Sequence, residues 1–182
     1  MRNLAEKWPA APDWTTAVLN QGGVRVRTLG GLNQLLVSGD LTAWSQVSGL
    51  AGEGAGAGAV ASGDTYMARI ARDRILAVGE RPFPIAAGWH ETGFAVSAMD
   101  AGLHVFEIEG PGLAGLVARG TTLDPDQTSR SASVLFAGVN VLFYRFGNRN
   151  QARLHVDRGL APYLWEWLEQ SPALYGFGFR SI

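Results

Sequence analysis

The chain is 182 residues long, 47% hydrophobic and 17% charged, against about 25% charged in an average soluble domain, so it folds around a large core and has little charge to cover its surface. Lys+Arg 15 against Asp+Glu 16 leave a net charge of -1, which argues against a nucleic-acid binder or an anionic-membrane binder, since either would carry a basic excess. Cysteine is absent and Lys7 is the single lysine, which removes disulfides, thiolate nucleophiles and cysteine-held metals, and all but removes Schiff-base and P-loop lysine chemistry.

Residues 1–23 read as an N-terminal arm that carries Trp8 and Trp14 with Pro9 and Pro12 between them. Glu6, Lys7, Pro9, Pro12 and Asp13 interrupt any apolar signal segment, and no apolar run approaches the ~18 residues of a membrane span. A cytoplasmic protein is expected. Val24–Leu29 alternates apolar residues with Arg25 and Arg27, the pattern of a half-buried strand. Leu32–Ser38 is a second strand, and Asp40 caps a helix running to about Ser48. The Gly- and Ala-rich stretch Gly49–Asp64 reads as a mobile loop. Within it, Gly54, Gly56 and Ala59 spell a literal G-x-G-x-x-A, but a helix precedes it and a strand follows, the reverse of a dinucleotide fingerprint. Tyr66–Ala71 and Ile75–Gly79 form a hairpin, Pro82–His90 a short crossover, and Gly93–Met99 a strand.

The pattern then recurs. Leu103–Glu109 is a strand ending at Gly110-Pro111, with the proline set for a first helical turn and a helix to Arg119. The shift that carries Gly39 onto Gly110 also carries Gly49 onto Gly120. A second hairpin, Val139–Phe146 with Ala152–Asp157, leads to a helix from about Leu160 to Glu169 and a last strand, Leu174–Phe179. Each half reads as strand–helix–hairpin–helix–strand. The expected fold is α+β, made of two duplicated ferredoxin-like (βαββαβ) halves within one domain, 24–182, the pseudo-repeats covering about 24–100 and 101–182.

Four stretches carry a family resemblance: Tyr66–Gly79 (YMARIARDRILAVG), Leu103–Leu123 with Asp124 (LHVFEIEGPGLAGLVARGTTL-D), Ser131–Arg145 (SASVLFAGVNVLFYR) and Arg153–Leu168 (RLHVDRGLAPYLWEWL). In order and spacing they resemble the gamma subunit of heterotetrameric sarcosine oxidases, a relative of the folate-binding domain of the glycine-cleavage T-protein, an aminomethyltransferase. Three departures mark a divergent member: Asp73-Arg74-Ile75 in place of an Asp-Glu-Trp turn, Val96-Ser97-Ala98-Met99 without the family's aspartate, and Gly159 in place of a serine.

The resemblance implies a noncatalytic, structural chain whose alpha and beta partner subunits hold FAD, FMN, NAD and tetrahydrofolate, while this chain binds no cofactor alone. The complex it implies converts sarcosine to glycine with hydrogen peroxide and formaldehyde, or with methylene-tetrahydrofolate. Two other readings stand beside it. One is a free-standing folate-binding aminomethyltransferase-like protein. The other is a small module that binds folate or an acidic metabolite through arginines such as Arg69, Arg119 or Arg145.

Individual residues offer little catalytic chemistry. His90, His104 and His155 lack the spacing of paired metal ligands. His155 lies on the strand face opposite Leu154 and Val156, and His104 shares a face with Phe106 and Ile108 as a hydrogen-bonded residue at the core edge. Ser38, Ser97 and Ser133 sit in no nucleophile elbow. The resemblance to the T-protein, whose catalysis uses an aspartate near the folate, makes Asp100 and Asp124 the nearest candidates in chain position, and both also read as turn residues. On the last helix Leu160, Ala161, Leu164, Trp167 and Leu168 form one side and Glu166 and Glu169 the other, leaving Tyr163 and Trp165 at the borders of a wide apolar arc. With Trp8 and Trp14, these two border aromatics are the candidate partner interface.

Overall fold

The computed structural model describes residues 11–124 and 127–171. In chain order the elements are β1 (Val18–Gln21), β2 (Val24–Leu29), β3 (Asn33–Gly39), α1 (Leu41–Ser48), β4 (Val60–Ala61), β5 (Thr65–Ala71), β6 (Arg74–Gly79), β7 (Gly88–His90), β8 (Phe94–Ala98), β9 (Leu103–Glu109), α2 (Leu113–Gly120), β10 (Ser133–Phe136), β11 (Val139–Phe146), β12 (Asn148–Asp157) and α3 (Ala161–Gln170), the last entered through a 3-10 turn at Arg158–Leu160. The fold is α+β, dominated by antiparallel strands. One sheet runs β1-β2-β9-β12-β11-β10, with β4 added to β11, and the other runs β5-β6-β3-β8-β7.

Strand alternation builds the layers. In β12, Ala152, Leu154 and Val156 face α2 and α3, while Arg153 and His155 face the second sheet. In β6, Ile75 and Ala77 pack with Trp44 of α1, while Leu76 and Val78 face the first sheet. The layers therefore run helix, sheet, sheet, helix, with one apolar core beneath each helical layer and a third, mixed core between the sheets. Fully burying each Leu, Ile or Phe of these cores contributes about 1.5–3 kcal/mol.

Two corners are built alike. Gly39 ends β3 with φ 111° and Gly110 ends β9 with φ 132°, backbone that an L side chain rarely adopts. Each N–H donates to a hairpin residue at 2.9 Å, to Asp73 O and to Asn150 O respectively. A Cβ on either glycine would press on the carbonyl oxygen of Gly93 or of Gly23, the residues just before the flanking strands β8 and β2. The flanking strand of β3 is its later neighbour β8, whereas that of β9 is the earlier β2.

Several boundaries therefore move. Residues 18–21 are a strand, paired with β2 from Val18↔Arg27 to Gln21↔Val24, so the arm does not extend to residue 23. β2 belongs to the sheet of the second half, because its register matches β9. No helix lies between β6 and β8: that crossover carries the short edge strand β7. The expected strand Leu174–Phe179 lies outside the described residues.

The Gly-rich stretch is also not a loose loop. Ala57 N donates to Ser131 O at 2.9 Å, Ser129 N to Ala57 O at 2.8 Å, Arg145 N to Ala59 O at 2.9 Å, Ala55 N to Met67 O at 2.8 Å and Arg69 N to Ala55 O at 2.8 Å. A Cβ on Gly56 would collide with the Ser129 carbonyl, and one on Gly58 would lie 2.6 Å from Gln127 O. These glycines serve close backbone approach rather than freedom of motion.

Candidate functional site

One row of side chains crosses the inner face of the first sheet. Arg27, Glu107, Arg153 and Tyr144 stand directly opposite one another on β2, β9, β12 and β11. Glu107, 1% exposed, accepts from Arg27 Nε at 3.0 Å and from Arg153 Nε at 3.1 Å. Arg153 Nη1 donates to Tyr66 Oη of the second sheet at 2.7 Å, and its guanidinium lies 3.3 Å from the centroid of the Phe146 ring. Tyr66 and Tyr144 share a hydrogen bond of 2.9 Å. Tyr144 Oη then meets His155 Nε2 at 2.5 Å, and His155 Nδ1 meets Gln34 Oε1 of β3 at 2.6 Å. Seven side chains thus form one continuous polar chain joining the two sheets, buried except at its Arg27 end.

Its electrostatics hold it in one protonation state at neutral pH. Burial, with Arg153 nearby, pushes the His155 pKa down to about 3, so the imidazole is neutral. Burial raises the Tyr144 phenol well above its ordinary value, and raises Tyr66 despite the opposing pull of Arg153. Glu107 is driven up by burial, but hydrogen bonds from Arg27 and Arg153 outweigh that and leave its pKa below the ordinary value. A chain of neutral tyrosines and histidine around one fixed ion cluster is suited to locking two sheets in register. It offers no group poised to exchange a proton near pH 7.

The chain ends at a cleft. Gln34 lines a cavity of about 420 Å³ with Trp14, Thr28, Asp100, His104 and Arg158, at the point where the β2–β3 connection passes from one sheet to the other. Asp100 accepts the Gln34 backbone N–H through its carboxylate. Arg158 Nη2 donates to the Asp100 carbonyl at 3.0 Å. The His104 ring lies 4.5 Å from Trp14 and 4.6 Å from Phe106, centroid to centroid. Its Nε2 is buried without a partner, contrary to the hydrogen-bonded role expected from the sequence. Burial, then the charge of Arg158, holds the His104 pKa down to about 4.

The aromatics expected at a partner interface separate into two groups. Trp14 is half-buried and packs edge-on against Trp165 at 5.7 Å and against Phe106 at 5.9 Å. Trp165 is 8% exposed, on the inner face of α3 with Ala161, Leu164 and Leu168, at i, i+3, i+4 and i+7 spacing. Because α3 starts at Ala161 after the 3-10 turn, Leu160 rotates out of that face and Trp165 rotates into it. Trp165 is therefore a core residue and not a border one. Tyr163 is 48% exposed, with its hydroxyl donating to Ala137 O at 2.8 Å. Trp8 lies outside the described residues. Sequence reading missed Trp89, 71% exposed on the edge strand β7; the run Gly88-Trp89-His90 within a supposed crossover was its only signal.

Among the described residues, no cluster of His, Asp and Glu could hold a metal, and no helix is long and apolar enough to cross a membrane. Arg69 donates to the carbonyls of Glu53 and Arg72, and Arg119 to those of Gly115 and Ser171. Arg145 donates to the Arg149 carbonyl and lines a cavity of about 190 Å³ with Arg149 and Asn150. The three arginines do not share a pocket. Asp124 accepts from Gln127 Nε2 at 3.0 Å, as in a turn.

No protein-family model matches the chain, and no curated protein matches its sequence. Among solved structures, the aminomethyltransferase T of the glycine cleavage system from Bartonella henselae superposes at TM-score 0.45 and 13% identity, over 81% of this chain and 46% of that one. A chain of the heterotetrameric sarcosine oxidase from Corynebacterium sp. U-96, in complex with pyrrole 2-carboxylate, superposes at TM-score 0.69 and 18% identity, over 98% of this chain and 95% of that one. The chain has the fold of a chain of that sarcosine oxidase.

Proposed function

We propose that this chain is the gamma-type subunit of a heteromeric, sarcosine-oxidase-like complex, with a structural and assembly role. One observation carries the reading: the likeness covers 98% of this chain and 95% of the other. A shared fold over nearly the whole of both chains is what a subunit of that kind would give. The polar chain between the sheets agrees with the same reading, since its side chains are engaged with one another and hold the sheets in register.

In this reading alpha and beta partners carry FAD, FMN, NAD and tetrahydrofolate, and this chain binds none of them alone. The complex takes up water and dioxygen and oxidises sarcosine to glycine, hydrogen peroxide and formaldehyde, or passes the one-carbon unit to tetrahydrofolate. We place it in the cytoplasm. The like corners at Gly39 and Gly110 favour an internal duplication of ferredoxin-like units, with β2 taking in the second unit the place that β8 takes in the first. The partner-facing aromatics in this reading are Tyr163 and Trp89, both exposed, with Trp8 kept as a candidate from the sequence.

The test is to express the chain alone and with the proteins encoded beside it, followed by size exclusion with absorbance in the flavin range. A co-eluting yellow complex is expected, and Trp89→Ser combined with Tyr163→Ser should weaken it. A monomer that ignores those proteins and binds tetrahydrofolate tightly by itself would overturn the reading in favour of a free-standing aminomethyltransferase-like protein.

A further inference from the structure

Asp100 and Arg158 are close neighbours of opposite charge that do not neutralise each other. Arg158 reaches the backbone carbonyl of Asp100, and the Asp100 carboxylate turns to the Gln34 amide. Among the described residues the ion pairs found are Arg25–Glu109, Arg27–Glu107 and Arg153–Glu107, so neither charge at the cleft is spent on the other. Both residues are exposed on its lips. The remaining walls are mixed: Leu29, Leu32, Leu103 and the Trp14 indole supply apolar surface, Thr15, Thr28 and Gln34 supply polar groups, and Gly30 and Gly31 leave their wall without side chains. His104 is neutral at pH 7, so the cleft, of about 420 Å³, presents one positive and one negative charge beside an apolar wall formed by Trp14, Leu29, Leu32 and Leu103.

A site of this kind discriminates by charge pattern. A simple anion would be drawn to Arg158 but repelled by Asp100, and a simple cation the reverse. A molecule with a carboxylate and an ammonium on adjacent carbons satisfies both, and an apolar substituent fills the rest. We propose that this cleft binds a free α-amino acid with an apolar side chain, its carboxylate on Arg158, its ammonium on Asp100, and its side chain against Trp14 and Leu103. A peptide terminus offers only one of the two charges and so fits less well. The proposal goes beyond the subunit reading and does not depend on it, since the cleft is complete within this chain.

The experiment titrates the full-length chain by calorimetry with three probes of one shape: phenylalanine, 3-phenylpropionate, which lacks the ammonium, and phenethylamine, which lacks the carboxylate. Phenylalanine should bind at least about tenfold more tightly than either analogue, the difference expected when one charge-assisted contact is lost. Arg158→Gln should bring phenylalanine down to the level of phenethylamine, and Asp100→Asn, which keeps an oxygen for the Gln34 amide, down to the level of 3-phenylpropionate. Thermal unfolding of each variant shows whether the fold is intact. If Asp100→Asn unfolds, the Arg158→Gln comparison decides alone. Equal affinity for all three probes, a preference for either singly charged one, or no binding would overturn the proposal. Because no partner protein is involved, failure here leaves the subunit reading intact, and failure of complex assembly leaves the cleft intact.

Discussion

Beneath α1 the second sheet packs Val37, Ile75, Phe94 and Val96 on Trp44 with no ionised group among them. Between the two sheets, by contrast, Ala68, Leu76 and Val78 lie beside Glu107, Arg153, His155 and Gln34. Both regions are equally dry, but they specify structure differently. An apolar core rewards any tight packing, so it fixes how deeply a helix sits better than it fixes where one sheet slides on another. Hydrogen bonds such as Tyr66–Tyr144 and His155–Gln34 form at one registration only, and a slip would leave buried polar atoms unpaired at about 1–3 kcal/mol each. The mixed layer contributes specificity, and its desolvation cost makes it the region most sensitive to single changes.

The largest effect should follow from Glu107→Ala. It strips Arg153, buried, and Arg27 of their shared carboxylate, and should destabilise the chain by about 3–5 kcal/mol in urea unfolding. That is the range of Phe94→Ala in the apolar core, about 3–5 kcal/mol. The two separate on replacement by shape. Glu107→Leu with Arg153→Leu should recover most of the loss, whereas no second change restores the volume Phe94 leaves. If the double change were no better than Glu107→Ala, the cluster would be supplying net stability as well as registration.

Tyr144→Phe comes next. It keeps the ring against Tyr66 but deletes the hydroxyl that joins Tyr66 to His155, and should cost about 1–3 kcal/mol. A neutral result would mean that Tyr66 and His155 find each other, or water, without it.

How much of this was legible in the sequence depended on the range of the interaction. The strands Val24–Leu29 and Leu103–Glu109 were readable to the residue from their alternation, and Asp40 was readable as a cap because its side chain serves Thr42 N and Ala43 N a few residues on. His155 was correctly assigned to the face away from Leu154 and Val156. Its partner Gln34 was not, since the two are 121 residues apart on different sheets. The Gly-rich stretch misled because composition alone cannot distinguish glycine used for freedom from glycine used to admit a neighbouring backbone, as at Gly56. Trp165 was misplaced by including Leu160 in the helix, which turned the whole apolar face. The cleft was illegible, because Trp14, Gln34, Asp100 and Arg158 come from four distant segments.

Acid should attack the mixed layer first. His155 is neutral in the fold, with a pKa of about 3 against 6.5 unfolded, so between those values the unfolded chain binds the extra proton. Its stabilising contribution is complete above about pH 6.5 and is lost as pH falls toward about 3. His104, down to about 4, acts in the same direction, and Glu107, lowered by its arginines, adds a loss below its ordinary value of 4.5. The urea midpoint should therefore fall from pH 7.5 to pH 5, and the fall should shrink in His155→Gln. An unchanged fall in that variant would move the acid sensitivity out of the inter-sheet layer.

The smallest effect is the sharpest test of where that layer ends. Arg25 and Arg27 sit two residues apart on one face of β2, each opposite a glutamate of β9. Glu107 is 1% exposed at the side chain, whereas Arg25 and Glu109 are 51% and 42% exposed and 3.4 Å apart. Water already solvates the outer pair, and holding two long side chains in place offsets most of the attraction, so Arg25→Ala should cost under about 1 kcal/mol and less still in high salt. Arg27→Ala should cost more, because Glu107 cannot turn to solvent for a replacement. If the two arginines proved equal, burial of the shared carboxylate would not be what distinguishes the inner layer from its rim. The specificity attributed to the polar chain would then have to reside in the Tyr66–Tyr144–His155–Gln34 segment alone.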